Sequence, residues 1–158
     1  MIKGNLTENM THDTEVLFRS VTPKKVLVAD DASDMTQMLE KILSRFGHSV
    51  ETCTDGRDAL KLFKPGKYDL LITDYAMPNM NGIELAHIIK KRDPALPIIM
   101  VTGFAFTIAA YDMRPLPADF ILRKPFDTKQ LNDALTTLFS KGKTPGQDAS
   151  IQVSPSPN

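Results

Sequence analysis

Five short apolar runs, each followed by a stretch of different periodicity, confine this chain to a narrow set of folds. The runs are Lys25-Val26-Leu27-Val28-Ala29, a weaker one at 49–53, Leu70-Leu71-Ile72-Thr73, Ile98-Ile99-Met100-Val101 and Phe120-Ile121-Leu122. After the first, Met35, Met38, Leu39, Ile42, Leu43 and Phe46 recur at helical spacing and stop at Gly47. Ala59, Leu60 and Phe63 mark a short second helix ended by Pro65-Gly66. Ile83, Leu85, Ala86, Ile88 and Ile89 mark a third, closed by Pro94 and Pro97. A fourth helix is expected within 104–113, cut short by Pro115 and Pro117. Asp127, with Gln130 three residues on, reads as a capping box that opens a last helix carrying Leu131, Ala134, Leu135 and Leu138. Strands this apolar are buried on both faces, and right-handed crossovers place helices over each face of a parallel sheet. The expected fold is therefore α/β: a doubly wound, five-stranded parallel sheet over residues 23–141.

The flanks read differently. Residues 1–22 are mostly polar, apart from a small patch at Val16-Leu17-Phe18, and are expected to form a flexible tail. From Gly142 to the last residue Gly, Pro, Ser, Gln and Asn dominate, which predicts a disordered C-terminal tail.

Charge narrows the function classes. Lys plus Arg and Asp plus Glu each number 19, so the net charge is zero, and no basic stripe offers the field that nucleic-acid binders use. No nucleic acid is expected as a partner. The least charged stretch, 94–111, is broken by Pro94, Pro97 and Gly103, so no membrane span is expected either. One cysteine, Cys53, and no signal-like N-terminus make a reducing, cytoplasmic setting the simpler expectation. His12, His48 and His87 are scattered, which argues against a zinc site, and the eight Met residues read as core filler.

The chemistry lies at the strand ends. Asp30-Asp31 follows the first run, Asp74 the third, Thr102 the fourth and Lys124-Pro125 the fifth. In an open parallel sheet all such ends share one edge, where ligands bind. Three carboxylates there would repel unless a cation sits among them, and hard oxygen donors suit Mg²⁺ or Mn²⁺. Lys124 offers a point charge and Thr102 a hydroxyl for phosphoryl oxygens, while Gly103 allows close backbone approach. The set reads as a phosphoryl-handling site. Lys124-Pro125 is a candidate cis bond that would aim the lysine inward.

The acid pair, the segment Asp74-Tyr75-Ala76-Met77-Pro78-Asn79-Met80-Asn81-Gly82, Thr102-Gly103 and Lys124-Pro125-Phe126 together resemble the receiver domain of two-component response regulators. The resemblance implies a flavodoxin-like (βα)5 fold in which Asp74 is the phosphoacceptor. It implies Mg²⁺ bound directly by Asp31, Asp74 and the backbone carbonyl of Ala76, with Asp30 acting through water. Lys124 would pair with the phosphoryl group and Thr102 would hydrogen-bond it. The donor would be a histidine kinase or a histidine phosphotransfer protein. The output would be a downstream protein docked through the fourth helix and fifth strand, or a second copy of the chain. The protein would catalyse only its own phosphorylation and dephosphorylation, as a stand-alone receiver.

Three positions depart from the family pattern. The aromatic that commonly sits three residues before the lysine is Ile121 here, with Phe120 one residue earlier on the other strand face. Ala76 and Phe104, two residues after Asp74 and Thr102, carry no group that can orient an attacking water, so slow loss of the phosphoryl group is expected. Two other readings compete. An Mg²⁺-dependent aspartyl-phosphate hydrolase resembles a pattern with a second Asp where Ala76 stands, and a degenerate receiver acting as a binding module would not need every landmark intact. A nucleotide oxidoreductase would need a Gly-rich turn after the first strand, and Asp30-Asp31-Ala32-Ser33 has none.

Overall fold

The computed structural model describes residues 22–103, 116–140 and 152–153. Two strands without a charged residue before their ends, β3 (Leu70–Asp74) and β4 (Ile98–Thr102), are buried at every position. β1 (Lys25–Ala29) flanks β3 on one side, with β2 (Ser49–Cys53) outside it. β5 (Phe120–Arg123) flanks β4 on the other. All pairings are parallel, and the sheet order is β2-β1-β3-β4-β5-β6.

Because successive strand residues face opposite sides, the sheet divides its apolar residues between two cores. Val26, Val28, Leu70, Ile72, Ile99, Val101 and Leu122 pack with Leu39 and Leu43 of α1 (Ser33–Arg45) and Leu131 and Leu135 of α4 (Thr128–Ser140). Leu27, Ala29, Leu71, Ile98 and Met100 pack with Ala59 of α2 (Gly56–Leu62) and Leu85 and Ile89 of α3 (Gly82–Arg92). Helices thus cover both faces, as doubly wound connectivity requires. The helix expected within 104–113 lies outside the described residues.

Two of the described helices start at capping boxes. Asp127 and Gln130 bond reciprocally before α4, the Gln130 N–H donating to Asp127 Oδ1 at 2.8 Å and the Asp127 N–H to Gln130 Oε1 at 3.0 Å. Asn81 and Glu84 form a second such box at α3, which the apolar pattern alone does not signal.

The sheet also gains a sixth strand. β6 (Gln152–Val153), within the segment read from composition as a disordered tail, pairs parallel with Phe120 and Ile121. The physical reason is local. Ile151 and Val153 alternate as β-branched residues around Gln152, and β5 without a neighbour would present an unpaired edge.

At the starting edge of β1 and β2, His48 is buried and its Nδ1 accepts the Lys24 N–H at 3.1 Å, while the Ser49 N–H donates to the Lys24 carbonyl at 2.9 Å. Burial first, then the Lys24 charge, holds the imidazole below its ordinary pKa, against a smaller opposing pull from Asp69. The neutral ring therefore contributes stability that is complete above the unfolded-state pKa, about 6.5, and is lost as pH falls through the lower folded-state value. Urea midpoints are expected to drop between neutral pH and about pH 5 in the wild type, and to drop less in His48→Asn, whose carbonyl oxygen accepts the same N–H. Equal slopes in the two proteins would count against this role.

Candidate functional site

Each residue of the site is delivered by the end of a strand. Asp30 directly follows β1, and its Oδ1 accepts the Ala32 N–H at 2.9 Å, turning the chain toward α1. Asp74 is the last residue of β3, in register with Val101, and the next N–H, that of Tyr75, donates to the Val101 carbonyl at 2.8 Å. Lys124 follows β5, its N–H donating to the Thr102 carbonyl at 2.7 Å, and its bond to Pro125 is cis. Gly82 lets α3 begin against the end of β3: its N–H donates to the Tyr75 carbonyl at 2.8 Å, and a Cβ there would lie 2.1 Å from the Asp74 carbonyl oxygen.

The side chains converge. Lys124 Nζ donates to Asp30 Oδ2 at 3.1 Å and to Asp74 Oδ1 at 3.2 Å. Asp30, Asp31 and Asp74 each present an oxygen within 4.8 Å of the others. Asp30 and Asp74 are 1% and 7% exposed, and Thr102 is 2% exposed at the end of β4, whereas Asp31 faces solvent. The structure thus gathers the three acids and the lysine, and Thr102, in register with Arg123, takes the backbone bond of Lys124.

Burial, and then the Asp30 charge, push the Asp74 carboxyl above the ordinary carboxylate range, and Lys124 counters only in part. Burial works against the Lys124 charge, yet its bonds to Asp30 and Asp74 hold its pKa above the usual lysine value. One lysine therefore neutralises three clustered acids incompletely. The shortfall of positive charge and an all-oxygen donor set fit a hard divalent cation of the Mg²⁺ class.

The receiver-domain profile of the response regulators matches residues 26–136. The chain belongs to the response regulator receiver family. Receiver domains of this kind are phosphorylation-activated signalling switches in two-component systems, and their part is regulatory. The chain is 38% identical over 109 residues to the response regulator receiver protein CpdR of Brucella abortus, covering 68% of this chain and 90% of that one. It is 30% identical over 120 residues to the transcriptional regulatory protein PhoP of Bacillus subtilis, covering 76% of this chain but only 50% of PhoP. The receiver fold is close to that of the Thermotoga maritima response regulator TrrA, solved in complex with Mg²⁺-BeF. That likeness has a TM-score of 0.65 and 33% identity, over 73% of this chain and 98% of TrrA. Vibrio cholerae CheY4 gives a TM-score of 0.66 at 30% identity, over 74% and 99%.

Two features of this receiver escaped the sequence reading. One is the close approach of Gly82 to Asp74, hidden behind what looks like an ordinary turn glycine. The other is a bond from Asn79 Nδ2 to Asp55 Oδ2, 2.8 Å long, that joins the loop after β3 to the loop after β2. Nothing in the spacing of the two residues announces it. Ile121 is fully buried, and Phe104 lies outside the described residues.

Proposed function

We propose that Asp74 accepts a phosphoryl group from a phosphohistidine on a partner histidine kinase or histidine phosphotransfer protein. The single observation that carries this reading is the position of the Asp74 carboxylate. It sits at a strand tip, half of an acid pair bridged by Lys124, beside a third acid. A carboxylate oxygen of Asp74 attacks phosphorus in line, the P–N bond breaks, and its electron pair returns to the imidazole, which takes up a proton. The chain contributes chiefly position and charge.

Lys124 moves its charge from Asp74 toward the incoming phosphoryl oxygens, and Thr102 offers a hydroxyl to one of them. Asp31, Asp74 and the Ala76 carbonyl would hold Mg²⁺, or Mn²⁺ as a substitute, with Asp30 assisting through water. When bound, the ion neutralises charge that the lysine alone does not. Output passes to a downstream protein, or to a second copy, through β5 and the fourth helix expected within 104–113. The cytoplasm is the proposed setting, and among the described residues no helix is long and apolar enough to cross a membrane. Ala76, where a hydrolase would carry an acid, favours a switch over a turnover enzyme.

Intact-mass measurement after incubation with acetyl phosphate tests the reading. Wild type is expected to gain one phosphoryl group when Mg²⁺ is present, and Asp74→Asn none. A wild type that stays unmodified with Mg²⁺, or a variant that is modified equally, overturns it.

A further inference from the structure

The loops flanking the acid cluster are tied to each other by residues that phosphoryl transfer does not use. Asp55 caps α2, its Oδ1 accepting the Arg57 N–H at 2.6 Å, and its other oxygen takes the bond from Asn79. Asn79 stands five residues after Asp74 with φ of 65°, a left-handed conformation that Asn adopts more readily than most side chains. The next residue, Met80, lies against Gly56, where an added Cβ would come within 3.0 Å of Met80 Cγ and of the Met80 carbonyl oxygen. Two consecutive residues of one loop therefore meet two consecutive residues of the other. At its far end the same loop is pinned by the bond from Gly82 to Tyr75 and by the Asn81 cap. Between these fixings runs Ala76-Met77-Pro78.

We propose that Asp55 and Asn79 are positioning residues, which hold the loop carrying the Ala76 carbonyl at the level of the acid cluster and so set divalent-cation affinity without touching the ion. This rests on the metal role proposed above for Ala76. The bond is exposed to solvent, so its effect comes from orientation of a short, otherwise pinned loop and not from burial. A peptide carbonyl is a useful ligand only where its oxygen is held in place, and partners outside the ligand shell do that holding.

The test compares Mg²⁺ dissociation constants by calorimetric titration, together with amide exchange at Ala76 and Met77 in metal-free protein. Asn79→Gly, which keeps the left-handed backbone but loses the bond, is expected to weaken Mg²⁺ binding about tenfold and to speed exchange at both amides. Asn79→Asp sets two carboxylates against each other and is expected to weaken binding similarly, although added negative charge by itself would attract the ion. Adding Asp55→Asn to Asn79→Asp is expected to restore the bond with donor and acceptor reversed, and with it the affinity. Wild-type affinity in Asn79→Gly, or no recovery in the paired variant, overturns the proposal. Failure of wild type itself to bind Mg²⁺ overturns the metal reading along with it, whereas a defect confined to the variants leaves that reading intact.

Discussion

Gly82→Ala is expected to destabilise the receiver by about 3 kcal/mol, the upper end for overpacking a close contact. The new Cβ would stand 2.1 Å from the Asp74 carbonyl oxygen, 3.0 Å from its carbon and 3.1 Å from Tyr75 Cα. All three are backbone atoms, two of them in the last residue of a fully buried strand, so no side-chain rotation relieves the clash. The start of α3 must move away from the end of β3, which stretches the 2.8 Å bond from the Gly82 N–H to the Tyr75 carbonyl. Asp74 and Ala76 sit inside the distorted segment, so phosphoryl uptake should fall with stability. Urea denaturation at constant m-value is the measurement. A loss below about 1 kcal/mol, the centre of the range for ordinary substitutions, would show that α3 can slide without cost.

The contrast between this contact and the acid cluster explains what a reader of the sequence can see. Strands β1, β3 and β4 were legible because strongly apolar runs have few alternatives to burial, and the cluster of acids and lysine was legible because each of its residues ends or follows such a run. The ladders extend further than the apolar runs, however. β3 takes in Asp74, β4 Thr102 and β5 Arg123, since pairing is a property of the backbone and continues past the residue where apolar side chains stop. The Asp55–Asn79 bond joins loops 24 residues apart, and no periodicity records a contact that depends on how two turns face each other. β6 was hidden for a related reason: two residues are too few to stand out from a Gly, Pro and Ser-rich background, and their pairing depends on the edge of β5.

The acid cluster makes a prediction of opposite sign for its central residue. Asp74→Asn is expected to abolish phosphoryl uptake yet raise the melting temperature of the metal-free protein. Asp30, Asp31 and Asp74 share a space within 4.8 Å, and among the described residues only Lys124 bridges the two buried acids. Burial, then Asp30, raise the folded-state pKa of Asp74, so its contribution is most favourable below the unfolded-state pKa and is lost as pH rises through the folded-state value. At neutral pH the penalty for ionising it is fully present. Asn keeps the shape and an oxygen for Lys124 while removing the repulsion. Mg²⁺ should reverse the order, because an ion bound only by the folded state at about a hundred times its dissociation constant adds about 2.7 kcal/mol, and the variant lacks the carboxylate proposed above as one of its ligands. Thermal melts with and without Mg²⁺ therefore separate the two contributions. A variant that melts below wild type without the ion, or gains as much from it, would show that the three acids are not in conflict and that Asp74 does not bind the cation.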